Sequence, residues 1–394
     1  MTTAAESVVA RLGGDFLAQA FGRTYRLAPG DAAQVAGLAD WDRLNTVLAR
    51  HRLEQPRLRL CVGGDMLPQH AYTRPVVTRR TTVWHQIQPA ALHERLAAGA
   101  TLVLDAADEL DGHIARLAVA LEREFRTTVQ VNLYASWTAD SGFGVHWDDH
   151  DTVVVQVDGA KRWRLFGPTR TAPLHRDVAL PDPPPGEPVA EFVLTAGDVL
   201  YVPRGWWHDV AAEDGRSLHL TCGLRTTTGA DLLAWLSESL LEHPVLRSDV
   251  PRFGTAQACD DFAAALRTLL AEALSSGDVV YRFAAARDAT EKPRFAPSLP
   301  HVADLPADAE QRVRLIVARP TLATDPAGRA VLTAGGQEWT FAAPAYALLA
   351  LLTDGRDHSL AELADASSIT VGQAASVLGE LVRGQVACAS GTTP

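Results

Sequence analysis

The chain has 394 residues, of which 47% are hydrophobic, so it is long and apolar enough for two or three domains with sizeable cores. A formal net charge of −11 disfavours a general nucleic-acid-binding surface and permits a basic protein or peptide partner. The cysteines lack CxxC spacing, which predicts reduced thiols and a cytoplasmic location. The first residues do not read as a signal peptide and no apolar run reaches membrane-spanning length, so we expect no membrane association.

The first third of the chain, to about residue 128, is predicted to mix helices with short strands. Residues 41–48 open a helix, and strands are expected around residues 58–60 and 102–104. Apolar residues recur at helical spacing over 106–125, which predicts an amphipathic helix with a buried stripe.

The most informative motif is His146-Trp147-Asp148, followed about sixty residues later by His208. Two histidines and one carboxylate form the facial ligand set that holds iron(II) and leaves positions open for a cosubstrate and O₂. A structural zinc site would need four protein ligands, usually including thiolates, and no cysteine lies near this motif. Each histidine alone could be a core residue and Asp148 a turn residue.

Residues 152–157 form a β-branched, apolar run that predicts a buried strand. Asp158-Gly159 is a hairpin signal, so residues 161–166 are predicted to be the returning strand. Alternation places Lys161, Trp163 and Leu165 on one face of that strand.

A second hairpin is predicted from the turn at residues 196–198 into a strand at 199–202. Residues 203–205 then turn the chain and bring His208 to the head of another strand. Two hairpins that present ligands from strand ends suit a small barrel of two β-sheets.

Other residues near the motif have more ordinary interpretations. His150 and His219 are expected to be hydrogen-bonded neighbours of the site or surface histidines. The tryptophans at 147, 206 and 207 are expected to pack around the site. A loop before His146 carries three residues that could touch substrate, namely Trp137, Asp140 and Ser141. The proline-rich segment 168–190 is either a plain connection or a lid over the substrate cleft.

The remainder of the chain divides into a helical part and a mixed part. Helical periodicity over residues 229–287 indicates a helical bundle, and residues 292–306 resemble a linker. The last segment has the strand and helix order of a winged helix. From residue 331 onward it holds two basic and six acidic residues, so we expect no direct nucleic-acid binding.

Residues 130–225 resemble the JmjC-type 2-oxoglutarate oxygenases, and most closely their ribosomal-oxygenase (cupin-4) branch. The matching segments are 146–149, 155–165 and 197–205 together with His208. The combination is far more specific than an isolated His-x-Asp.

The resemblance implies that iron(II), 2-oxoglutarate and O₂ are used. His146, Asp148 and His208 would be the metal ligands, and Lys161 would bind the distal carboxylate of 2-oxoglutarate. Tyr134 stands where a tyrosine of the family assists. The family also has a hydroxyl on the strand after the last ligand, and Thr221 is the candidate here.

The expected fold class is α+β, with a double-stranded β-helix (jelly-roll or cupin) barrel and an N-terminal α/β elaboration. We expect an oxygenase domain at residues 1–228 with its core barrel at about 130–228. A helical segment at 229–300 would make a homodimer, as it does in ribosomal oxygenases, and a winged helix would occupy 301–394.

The expected function is hydroxylation of a protein or peptide side chain. A ribosomal protein is the favoured substrate, with Arg or His β-carbon hydroxylation implied by the resemblance alone. Alternatives are hydroxylation of a ribosomally made natural-product precursor peptide, N-methyl demethylation, and a non-catalytic cupin scaffold.

Overall fold

The computed structural model describes residues 4–79, 83–139, 142–179, 186–225 and 227–390. The chain divides into two compact units, Met1–Thr226 (unit 1) and Thr227–Pro394 (unit 2). No helix in the described ranges is both long enough and apolar enough to cross a membrane.

Unit 1 contains short helices followed by the strands of a large sheet. Its helices are α1 (Ala4–Arg11), α2 (Phe16–Gln19), α3 (Trp41–Arg50), α4 (Pro89–Ala97) and α5 (Gly112–Phe125). Its strands are β1 (Arg26–Ala28), β2 (Leu58–Val62), β3 (Asp65–Met66), β4 (Thr73–Val77), β5 (Val83–Ile87), β6 (Thr101–Leu104), β7 (Val129–Ser136), β8 (Asp151–Pro168), β9 (Ala190–Thr195), β10 (Val199–Val202) and β11 (Trp206–Leu224).

The main sheet of the described residues runs in the order β1-β10-β8-β11-β7-β6-β2-β3, and β9 pairs with the free side of β8. Every pairing in it is antiparallel. Strands β4 and β5 pair separately. This antiparallel arrangement carries the cupin-type barrel that the sequence predicts.

The long strands β8 and β11 pair along most of their length, from Trp206 opposite Pro168 to Leu224 opposite Asp151. The predicted hairpin at Asp158-Gly159 is therefore wrong, because the chain bends there within one continuous strand. Gly159 has φ +67°, and a Cβ on it would lie 2.0 Å from the carbonyl oxygen of Arg216. Glycine is used at this position because β11 passes too close for any side chain.

Residue alternation along the second half of β8 follows the prediction. Trp163 and Leu165 belong to a buried apolar cluster inside the barrel that also contains Val154, Leu194, Leu200 and Val202. Arg162 and Arg164 lie on the opposite face, where they form ion pairs with Glu213 and Asp209 respectively. Lys161 shares the inner face with Trp163.

A larger core lies on the other side of the sheet, where α5 packs on β7 through residues such as Leu117, Leu121, Val131 and Leu133. The amphipathic helix expected over 106–125 begins only at Gly112. Asp111 caps it by accepting hydrogen bonds from the backbone N–H groups of His113 and Ile114. A short 3₁₀ turn precedes the cap at Ala107–Glu109.

Unit 2 begins with helices and ends with a mixed segment. Its helices are α6 (Gly229–Ser239), α7 (Pro244–Arg247), α8 (Ala256–Ser275), α9 (Val279–Ala289), α10 (Ala345–Leu352), α11 (Leu360–Ser367) and α12 (Val371–Arg383). Its strands are β12 (Arg312–Leu315), β13 (Thr321–Thr324), β14 (Ala330–Ala334), β15 (Gln337–Phe341), β16 (His358–Ser359) and β17 (Ala387–Ser390).

The mixed segment of unit 2 has two small antiparallel sheets, ordered β16-β12-β17 and β13-β14-β15. Ser359 and Thr370 begin α11 and α12 with reciprocal capping boxes that involve Glu362 and Gln373. Strand β12 pairs with β17 from Arg312 opposite Ser390 to Leu315 opposite Ala387.

Candidate active site

The three residues of the proposed ligand set converge in unit 1. One ligand atom from each of His146, Asp148 and His208 can be chosen so that all three lie within 4.8 Å of one another. The two histidine ring centroids are 4.3 Å apart, and His208 Nε2 is 3.8 Å from Asp148 Oδ2. The arrangement offers two imidazole nitrogens and one carboxylate oxygen, the donor set of a facial triad.

The backbone fixes both histidines. His146 and His208 form an isolated antiparallel bridge, with N–H to carbonyl distances of 3.0 and 2.8 Å. Each ring also has its Nδ1 within hydrogen-bond distance of a nearby carbonyl oxygen, 3.0 Å from that of Gly144 and 2.9 Å from that of Trp206. A proton on each Nδ1 makes these contacts hydrogen bonds and leaves Nε2 with the free lone pair that a metal requires.

His208 is held in the neutral form. Burial, and secondarily the neighbouring His146, lower the pKa of His208 to about 4. The ring is 4% exposed and lies against the indole of Trp163, with ring centroids 5.6 Å apart. A neutral imidazole is the form that coordinates metals, so no proton has to be displaced at neutral pH.

The loop that carries Asp148 is tied to the turn before β11. Gly205 donates its backbone N–H to the carbonyl oxygen of Asp148 at 2.8 Å. Gly205 has φ +77°, and a Cβ on it would lie 2.6 Å from Cγ of Pro173. This turn therefore requires glycine for both its conformation and its space.

The described part of the 168–190 segment lies beside the same loop. Asp149 accepts hydrogen bonds from Nδ1 of His150 at 2.9 Å and from Nδ1 of His175 at 2.7 Å. The guanidinium of Arg204 donates to the carbonyl oxygen of Pro173 at 3.2 Å. Residues 180–185, which include Pro181, Pro183, Pro184 and Pro185, lie outside the described residues.

Lys161 is a buried cation on the inner face of β8. Its side chain is among the buried charged groups at 4% exposure, and it has no hydrogen bond or ion pair with any residue that the structure describes. Burial lowers the pKa of Lys161 to about 7. An isolated ammonium in such a place is costly unless an anion accompanies it, so the position suits a carboxylate ligand.

Tyr134 lies close to the ligand set. Its ring stacks on His219 with centroids 4.8 Å apart and meets Phe143 edge-on at 5.8 Å. Phe143 in turn lies 5.8 Å from His146. Burial, with a contribution from the charge of Asp148, raises the pKa of Tyr134 well above its usual value, so the phenol keeps its proton.

His219 differs from its prediction. It was expected to be hydrogen-bonded or on the surface, but it is 4% exposed and its Nδ1 has no hydrogen-bond partner. Burial, and then the nearby Lys161, lower its pKa well below the usual value. Alternation along β11 could have revealed this position, because a strand that turns Thr221 inward also turns His219 inward.

Thr221 lies half-buried on the inner face of β11, opposite Asn132 of β7 and Val154 of β8. Two residues further on, Gly223 has no side chain, and a Cβ there would lie 2.8 Å from the ring of His150. His150 therefore fills the space beside Gly223.

The tryptophans pack as expected where the structure shows their contacts. Trp206 meets Tyr25 at the edge of the barrel core, and the indole of Trp207 donates to the hydroxyl of Thr169 at 2.8 Å. Trp137 packs against Trp41, with centroids 5.4 Å apart. The other two proposed substrate contacts, Asp140 and Ser141, lie outside the described residues.

The chain resembles known proteins in sequence over this region. Residues 108–232 match the model of the JmjC domain. A bifunctional lysine-specific demethylase and histidyl-hydroxylase NO66 of Drosophila persimilis is 40% identical over 107 residues, 27% of this chain and 16% of that protein. Ribosomal oxygenase 1 of Homo sapiens is 32% identical over 177 residues, 42% of this chain and 27% of that protein. The matches thus span less than a third of either relative.

The fold resembles solved structures over almost the whole chain. The Escherichia coli ribosomal oxygenase YcfD, in complex with cobalt and 2-oxoglutarate, has a TM-score of 0.58 and 16% identity. That comparison covers 96% of this chain and 98% of the YcfD chain. At this identity the likeness establishes the fold. Residues 108–232 therefore match a JmjC domain in sequence, and the chain shares its fold with a bacterial ribosomal oxygenase.

Proposed function

We propose that the protein is an iron(II)- and 2-oxoglutarate-dependent hydroxylase that acts on a protein or peptide side chain. The observation that carries the proposal is the convergence of His146, Asp148 and His208, with both histidines oriented by hydrogen bonds to the backbone. The JmjC match and the relatives' names support the same activity.

The residues fit the metal and the cosubstrate. Three hard or borderline donors suit iron(II), and the absence of a fourth ligand in the described cluster leaves room for a chelating cosubstrate. The buried ammonium of Lys161 would bind the distal carboxylate of 2-oxoglutarate. Tyr134 and Thr221 are proposed to complete the cosubstrate site.

Bound iron(II) and 2-oxoglutarate would activate O₂, the oxidant that supplies the oxygen atom inserted into a C–H bond. The chain's own contribution is orientation. The backbone bridge holds the two histidines, Gly205 fixes Asp148, and the apolar residues around Trp163 exclude water from one side of the site. Lys161 would anchor the far end of the cosubstrate and so set the direction of its metal-binding end.

The favoured substrate is a ribosomal protein, modified at the β-carbon of an Arg or His side chain. The support comes from the names of the relatives, which include ribosomal oxygenase and histidyl-hydroxylase. Lysine demethylation, which the name of the Drosophila relative includes, is a second candidate reaction of the same site. A natural-product precursor peptide is the alternative substrate.

Comparing ribosomal proteins from cells with and without the gene by mass spectrometry tests this choice. The proposal predicts that one protein is heavier by the mass of an oxygen atom when the gene is present. Unchanged masses for every ribosomal protein would refute the ribosomal substrate. The same comparison on candidate precursor peptides would then test the alternative.

We also propose that residues 229–300 mediate homodimerisation and that residues 301–394 form a winged helix. Helix α8 has twenty residues, and Leu269 is its one buried residue. Large apolar side chains before and after α8 in the sequence are exposed, including Phe253 at 93% and Tyr281 at 78%. A second copy of the chain would cover this surface.

A further inference from the structure

The inner face of the barrel carries unpartnered polar groups beyond those assigned above. His219 on β11 lies directly opposite Tyr134 on β7 and Gln156 on β8, and Ser217 lies opposite Ser136. His219 Nδ1, Gln156 Oε1 and Ser136 Oγ are buried without a hydrogen-bond partner. A layer of buried polar atoms on three adjacent strands is expensive unless a polar ligand or water satisfies it.

Among the polar groups of this layer, His219 is the one connected to the proposed cosubstrate site, through Lys161. His219 faces Gln156 of β8, and Lys161 lies five residues further along the same strand, close enough for its positive charge to act on the His219 ring. His219 has no hydrogen bond within the described ranges, although Tyr134 stacks on its ring and holds the plane of the imidazole.

The hydrogen-bond donors of Lys161 and His219 indicate which kind of ligand would bind between them. A buried imidazole beside an ammonium stays neutral and offers one N–H donor, while Lys161 offers three. Lys161 has no anionic partner among the described residues, so an anion with more than one oxygen suits the two donors. A carboxylate meets this need, because one of its oxygens can accept from the ammonium and the other from the imidazole.

Resting on the function proposed above, we propose that His219 is a second binding residue for the distal carboxylate of 2-oxoglutarate. Lys161 supplies the charge, and His219 supplies a directional N–H that fixes the rotation of the carboxylate. Tyr134 positions His219 by stacking. Gly223 has no side chain that could bind the carboxylate, and His150 fills the space beside it.

The test is the affinity for 2-oxoglutarate of the full chain loaded with iron(II), measured by calorimetry without oxygen. His219→Leu should weaken 2-oxoglutarate binding about 10- to 100-fold, the range for a hydrogen bond to a charged group. Iron(II) affinity should not change, since His219 contacts none of the three ligands. His219→Gln, which keeps an N–H donor, should recover part of the loss even if the leucine variant folds poorly.

His93→Asn is the matched control, because His93 is an exposed residue of α4 far along the chain from the site. It should bind 2-oxoglutarate as the wild type does. If His219→Leu and His219→Gln both bind within about twofold of the wild type, the role of His219 is refuted and the oxygenase proposal stands. If the wild type itself does not bind 2-oxoglutarate, both proposals fail.

Discussion

The backbones of His146 and His208 pair with each other, through N–H to carbonyl contacts of 3.0 and 2.8 Å, although the two residues are 62 positions apart in the sequence. The two imidazoles are therefore set by main-chain geometry as well as by side-chain contacts. This relationship predicts that the ligands can be removed without unfolding the site.

Replacement of His208 by Ala should abolish stabilisation by metal. For the wild type, cobalt(II) at about 100 times its Kd should add about 2.7 kcal/mol to the free energy of unfolding, because it binds the folded state alone. Chemical denaturation with and without cobalt measures the effect. His93→Ala serves as the control and should keep the full increment, and equal stabilisation of the His208 variant would place the metal elsewhere.

Replacement of Gly205 by Ala should damage the site through the backbone. The methyl group would collide with Pro173 in a left-handed turn, which costs about 1–3 kcal/mol, and the turn holds the carbonyl of Asp148. We expect a lower midpoint of unfolding together with weaker metal binding. Gly186→Ala is the control, because a Cβ there meets nothing within 4 Å. Normal metal affinity in the Gly205 variant would contradict the proposed coupling.

The binding of 2-oxoglutarate should take up a proton above neutral pH. Burial lowers the pKa of Lys161 to about 7 in the free protein, and a bound carboxylate raises it again. Below about pH 7 the lysine is already charged, so no proton is exchanged; at about pH 8 close to one proton enters per site. Above about pH 7 the affinity for 2-oxoglutarate should therefore fall about tenfold per pH unit, until the pH reaches the pKa of Lys161 in the complex.

Calorimetry in two buffers of different ionisation enthalpy measures this proton uptake. Lys161→Arg provides the comparison, because arginine stays charged throughout. It should bind without taking up a proton. A wild-type affinity that is constant from pH 6 to about 9 would contradict the predicted change in the charge of Lys161 on binding.

The exposed apolar surface around α8 predicts a dimer that charge should disrupt. Leu274 of α8 is 44% exposed, and a glutamate in its place would put an unpaired charge into the proposed interface. Light scattering should give the mass of two chains for the wild type and of one chain for Leu274→Glu. Leu351→Glu, on the similarly exposed Leu351 of α10, should remain dimeric. A monomeric wild type would refute the dimer.

Much of the fold was predictable because its signals are local. Strand alternation placed Lys161 and Trp163 on one face of their strand, and the structure shows this to be the inner face of the barrel. The hairpin predicted at Asp158-Gly159 was wrong because the conformation there depends on a distant strand. Strand β11 pairs with β8 on both sides of Gly159, so the chain bends at this glycine and does not reverse. Local sequence does not contain that pairing.

In the candidate site, too, the features with local sequence signals were predicted and those that depend on distant strands were not. His146, Asp148 and His208 were found from motif spacing, and the structure brings them together. His219 was misjudged, because its lack of a hydrogen-bond partner depends on three strands that meet only in the folded barrel. The support of Asp149 by His175 also arises from a loop whose path the sequence did not specify.

The most direct test of the metal centre is the visible absorption of the protein with iron(II) and 2-oxoglutarate in the absence of oxygen. Chelation of iron by the 2-oxo acid gives a charge-transfer band that neither partner shows alone. The account predicts this band for the wild type and for His93→Asn, and its loss in His146→Ala and in Asp148→Ala. A band that persists in both ligand variants, or that is absent from the wild type, would contradict the assignment of these residues as the iron site.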